Sequence, residues 1–165
     1  MTLTKGLIKY SKKKLSFVRI NFQPPKSNRT IGNLAGMSKA ISGFEFHEKL
    51  DKQSIEGLYH SDLSFALEMF QVYTEVVNSE FSKLETSVKE RDFSQVKQDA
   101  HKMKPMFTMV GLPQMTKICK EIETNALSYD SAKVDELFAE LKSMHDEHFH
   151  IIEKEITRIE EYINT

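Results

Sequence analysis

The chain has no tryptophan, one cysteine, four prolines and six glycines in 165 residues. Each scarcity removes a class of structure. A single cysteine, Cys119, leaves no intramolecular disulfide, and a reducing, cytoplasmic setting is the natural expectation. Long stretches without glycine or proline suit helices better than a turn-rich β fold. No run of about 18 apolar residues occurs, so no membrane span is expected. The basic N-terminus lacks the apolar segment of a secretory signal. No glycine-rich nucleotide loop of the P-loop or dinucleotide type is present, and strands do not alternate with helices. Neither an ATP site nor independent kinase activity is therefore expected, and the chain reads as a non-enzyme with no small-molecule substrate.

Hydrophobic residues make up 39% of the chain and charged residues 28%, enough for one core with a solvated surface. The formal net charge of −1 hides a division. Residues 1–45 carry nine basic side chains and one acid, Glu45, whereas residues 46–165 carry 14 basic and 23 acidic ones. Such a split marks a basic tail on a folded domain, with the boundary at 45/46. Leu15, Phe17, Ile20 and Phe22 can make a short strand ended by Pro24-Pro25. The segment reads as a flexible tail, or as a basic arm touching anionic lipid or nucleic acid, and Met37 as an alternative start is a third reading. It lacks the length and aromatic interleaving of a nucleic-acid site, so no nucleic-acid partner is expected.

From about residue 47 the pattern becomes helical. A short helix is expected over 51–58. Ser61 or Asp62 then caps a long amphipathic helix with Phe65, Met69, Val72, Val76, Phe81, Leu84 and Val88 inward. Asp92 with Gln95 resembles a capping box. The helix it opens buries Phe93, Val96, Ala100, Met103, Phe107 and Val110, and stops at Gly111. Pro113 suits the first turn of a third helix with Met115, Ile118, Cys119, Ile122 and Ala126 inward. Asp130 or Ser131 caps the last, whose stripe is Val134, Leu137, Phe138, Leu141, Ile152, Ile156, Ile159 and Ile163. Four long helices with short connections predict an all-α, antiparallel up-down-up-down four-helix bundle over 46–165, with a short extra N-terminal helix and a monomeric state.

On the second long helix, His101 sits at the edge of the apolar stripe. Lys97, His101, Lys104 and Thr108 form one column at spacings of four, three and four. A neutral imidazole can attack a phosphoryl group through one nitrogen. Ammonium groups beside it can hold phosphoryl oxygens by charge-assisted hydrogen bonds. By itself this pattern is common on solvated helix faces.

The surrounding string is more specific. Ala100-His101 is followed by Met103, by Lys104 three after the histidine, and by Gly111 ten after it; Met115, Cys119 and Glu123 then recur every four residues. With Leu58-Tyr59-His60-Ser61-Asp62 and Phe70 upstream, residues 54–163 resemble the histidine-containing phosphotransfer (HPt) domain family. The resemblance implies a four-helix bundle that carries phosphate on His101. It would accept the phosphoryl group from a receiver-domain aspartate of a hybrid histidine kinase and pass it to a response regulator. It implies that Lys104 steadies the phosphoryl group. It also implies that Glu123, 22 positions after the histidine, accepts from the ring Nδ1–H and so leaves Nε2 free to attack. No cofactor of its own is implied, since the partner receiver supplies Mg²⁺. The alternative is a receiver-binding scaffold or inhibitor that does not transfer phosphate. Its foothold is Pro105, where the family commonly has glycine. Proline lacks the N–H that would bond the carbonyl of His101, so a kink is expected to begin there.

Other residues invite blander readings. His145 and His148 are three apart, a spacing that can hold a metal, but half-buried, satisfied histidines are the simpler expectation, and His47 and His60 look incidental. Cys119 reads as a small core hydrophobe. Met106 and Met109 are expected to point outward beside His101 as an apolar docking patch.

Overall fold

The computed structural model describes residues 43–60 and 62–165. The readings placed on residues 1–42, and Ser61 as a cap, lie outside them. Five helices follow in order: α1 Lys52–Tyr59, α2 Leu63–Lys89, α3 Phe93–Met109, α4 Pro113–Leu127 and α5 Ser131–Asn164. The expected all-α bundle with a short extra helix is what forms.

The helix starts follow from capping chemistry. Asp51, Asp62, Asp92 and Asp130 each accept a backbone N–H three residues on, from Ser54, Phe65, Gln95 and Lys133, at 2.9–3.0 Å. Each such cap is worth about 1 kcal/mol. The reciprocal half of the capping box does not form at α3: the Gln95 amide donates instead to the buried Asp99 carboxylate at 2.7 Å. Helix α4 has no side-chain cap, and Pro113 occupies its first turn. The connections at 90–92, 110–112 and 128–130 are too short for anything but antiparallel neighbours. The bundle is a closed square, with α2 packed on α3 and α5, and α4 packed on α3 and α5.

Gly111 ends α3 at a φ of +73°, and a Cβ there would lie 2.8 Å from Ile55 Cδ1. Both its handedness and the close approach of α1 therefore require glycine. Two bonds fasten α1 at this point, Asp51 N–H to the Gly111 carbonyl at 2.9 Å and Tyr59 O–H to the Met109 carbonyl at 2.6 Å.

Along α3 and α4 every expected inward residue is buried except Phe93, which is half-buried. In the first half of α2 the stripe runs one position further on. Ala66, Phe70, Tyr73 and Val77 are buried, while Phe65, Met69 and Val76 are only partly so. Two adjacent apolar columns exist there, and α1 takes the second: the rings of Phe65 and Tyr59 meet edge-on, 5.5 Å apart. On α5 the inward face holds Val134, Leu137, Leu141, Ile152 and Ile159 as expected and adds His145, His148 and Glu155, while Phe138, Ile156 and Ile163 of the expected stripe are only partly buried. Phe44 and Phe46 are buried as well, so packing extends to residues on the tail side of the 45/46 boundary.

Candidate functional site

Helix α3 places His101 one position beyond the buried Ala100, so its ring stands at the margin of the core and its side chain is 72% exposed. Helix α4 runs alongside with Glu123 next to the buried Ile122. The two meet: His101 Nδ1 lies 2.9 Å from Glu123 Oε1. Lys104 Nζ donates to the other carboxylate oxygen, Oε2, at 2.8 Å. Glu123 is 14% exposed and Lys104 23%, so the carboxylate works in a half-dry seam between the helices. Oε1 has the length of a hydrogen bond to the ring but not its alignment, and no other partner among the described residues satisfies it. A small turn of the exposed imidazole would complete the bond.

The structure thus brings together His101, Lys104 and Glu123 among the four residues singled out from sequence. Lys97 is exposed and shares a shallow hollow with Gln98, His101 and Lys102. Lys102 was not anticipated, because it falls outside the column. Its ammonium is 3.7 Å from the Asp99 carboxylate, on the side toward α2. Farther along the seam, the Thr108 hydroxyl donates to the Lys104 carbonyl at 3.0 Å, and the Thr116 hydroxyl lies within donating distance of both that carbonyl and the Thr108 oxygen, at 3.3 and 3.1 Å. This fastens α4 to α3 one turn past the histidine.

One expectation about the site's surroundings changes. Met106 and Met109 are buried, 8% and 5% exposed, so they form no docking patch. At Met109 the reason is α1, whose Tyr59 hydroxyl donates to the Met109 carbonyl at 2.6 Å. Pro105 is exposed and α3 continues through it as one helix to Met109. Its side chain is exposed to solvent.

His145 and His148 are packed into the bundle, but the expectation that both are satisfied holds only in part, since His145 Nδ1 is buried with no hydrogen-bond partner among the described residues. His145 Nε2 is 2.9 Å from Asn78 Oδ1 and its ring stacks on Phe81, with centroids 4.5 Å apart. His148 Nδ1 is 2.8 Å from the Met144 carbonyl. Among the described residues no three His, Cys, Asp or Glu side chains gather as a metal site. Cys119 is buried and its thiol is pushed up to about 12, by burial first and by the Glu123 charge second. It is a core residue, as its place on the stripe suggested. No helix of the described residues is long and apolar enough to cross a membrane.

Comparison with curated proteins and with solved structures returns no match. The family model described as Hpt domain matches residues 68–160, more than half of the chain. That span holds His101, Lys104 and Glu123 together with the four helices that position them. The chain therefore belongs to the Hpt domain family, whose members are phosphotransfer carriers that work with receiver domains in phosphorelays.

Proposed function

We propose that this chain is a phosphorelay intermediate in which His101 takes a phosphoryl group from the receiver of a hybrid histidine kinase and delivers it to a response regulator. The observation that carries this reading is the Glu123 carboxylate, placed between His101 Nδ1 and Lys104 Nζ at 2.9 and 2.8 Å. A carboxylate there favours the tautomer with hydrogen on Nδ1, which leaves the lone pair on Nε2.

Nε2 attacks phosphorus in line. The N–P bond forms as the P–O bond to the receiver aspartate breaks, and the aspartate leaves with that electron pair as a free carboxylate. The ring gains positive charge as it attacks, and the Glu123 carboxylate opposes that charge across the seam. Lys104 uses one of its three N–H donors on Glu123 and keeps two for phosphoryl oxygens. Lys97 and Lys102, beside the ring, add positive potential toward the incoming group. Delivery to the second receiver is the reverse sequence with a different aspartate. In this reading the Mg²⁺ that neutralises the phosphoryl oxygens belongs to the receiver.

The test is incubation of the full chain with a phosphorylated receiver. Wild type is expected to take the label and His101→Gln to take none. An unlabelled wild type, or equal labelling of His101→Gln, would sink the proposal. Tight receiver binding that survives His101→Ala without labelling would favour the scaffold instead.

A further inference from the structure

We infer that Leu127 and Tyr129, backed by Phe93, form an apolar anchor on the surface where the receiver domain docks over His101. The inference rests on the phosphocarrier reading above and adds residues that the seam chemistry does not use.

Leu127 and Tyr129 are the exposed large hydrophobics of the described residues, at 61% and 75%. They close α4 and begin the turn into α5. Tyr129 sits just past the C-cap Ser128 at a φ of +58°, in the left-handed region. The turn is of the kind that glycine or asparagine usually serves, with Tyr129 N–H on the Ala126 carbonyl and Asp130 N–H on the Asn125 carbonyl. A tyrosine strains this backbone and still leaves its ring in water. The equivalent position after α2 shows the contrast. Arg91 has a φ of +59°, and its guanidinium holds Asp135 through two bonds of 2.7 and 2.8 Å. Tyr129 makes only an edge-on contact with the half-buried Phe93, ring centroids 5.5 Å apart. Strain held at an exposed aromatic points to use outside the chain.

Placement supplies the occupant. Phe93 lies in the column of Lys97 and His101, and eight residues of helix put it about 12 Å from the histidine along the axis. On α4, Leu127 is one turn past Glu123 on the same seam. A standard protein interface covers about 800 Å² per partner, a disc of roughly 16 Å radius. A receiver centred on His101 therefore reaches this patch. Lys97 and Lys102 surround the histidine and complement the acidic pocket of a phosphate-accepting aspartate. Beyond them, Tyr129 and Leu127 offer the rigid aromatic and apolar contacts that anchor interfaces.

The experiment measures transfer from a phosphorylated receiver to the full chain against receiver concentration, for wild type, Tyr129→Gly and Leu127→Ser. Both variants are expected to raise KM about tenfold with the saturated rate within about twofold. Tyr129→Gly is expected to keep or raise Tm, because glycine suits the turn better. An unchanged KM beside normal wild-type labelling would overturn the docking inference alone. An unlabelled wild type would remove it together with the phosphocarrier reading. A marked fall in Tm in Tyr129→Gly, or a wild-type dimer that this substitution splits, would assign the patch to the chain itself or to a second copy, and overturn it too.

Discussion

At the scale of the residue, the phosphocarrier proposal makes Glu123 the least replaceable neighbour of His101, because one carboxylate lies within reach of both the ring and Lys104. In that proposal, removing it takes away the acceptor that orients Nδ1, and it frees Lys104 from its ion pair. Glu123→Gln keeps an acceptor for the ring but loses the charge, while Glu123→Ala loses both. Transfer rates at saturating receiver are expected to fall in the order wild type, Gln, Ala, with Ala down about a hundredfold. Rapid-quench labelling measures this, and equal rates in all three would remove Glu123 from the chemistry. His101, Lys104 and Glu123 were each legible in the sequence through the family string. That one carboxylate bridges the other two was not, because they lie on different helices and only the approach of α4 to α3 sets the distance.

At the scale of the element, α3 tolerates a proline four residues after His101. Pro105 removes the donor for the His101 carbonyl, an interior loss of about 3 kcal/mol in a helix. Here the ring points to solvent and the freed carbonyl lies on an exposed residue, where water can bond it. Pro105→Ala restores the N–H and removes almost no packing. Stability is expected to rise by about 1–3 kcal/mol, read as a higher urea midpoint at unchanged slope. A lowered midpoint would mean that the proline holds α3 in a shape the bundle needs. The same helix shows why its outward methionines were misread. Helical periodicity assigns one inward stripe, but Met106 and Met109 beside it are buried too, Met109 with its carbonyl held by Tyr59 of α1.

At the scale of the whole molecule, polar groups inside the bundle fix its edges. Glu155, 1% exposed, accepts the His47 backbone N–H at 2.9 Å and the Arg158 guanidinium at 2.6 Å. Arg158 in turn donates to the Glu45 carbonyl and lies over the Phe44 ring. This clamp ties residues 44–47 to α5. His145 lies on the same inward face, and burial holds it below its ordinary 6.5, with Asp146 opposing weakly. The unfolded chain therefore binds the proton more readily than the native one. Stability is unaffected by this group above pH 6.5 and falls as pH drops from there toward the lowered native value, by at most about 1.4 kcal/mol per pH unit. Urea midpoints are expected to decline between pH 7 and 5 in wild type and to flatten in His145→Gln. An equally steep decline in the variant would place the proton uptake elsewhere.

Periodicity, caps and the string around His101 were enough, read along the chain, to define helix number, order and most of the core. These are local properties, decided within a few turns by hydrogen bonding and by which residues avoid water. The Asp92 cap and Gly111 were legible for the same reason, and Asp62 and Asp130 each as one of two candidate caps, whereas the Asp51 cap was not. Tertiary structure alone decided which of two apolar columns of α2 faces inward, which methionines are covered, and which polar side chains enter the core. It also decided that Glu123 lies within bonding distance of both His101 and Lys104. Each of these depends on an element distant in sequence coming to lie against the residue, and no pattern within one helix carries that information.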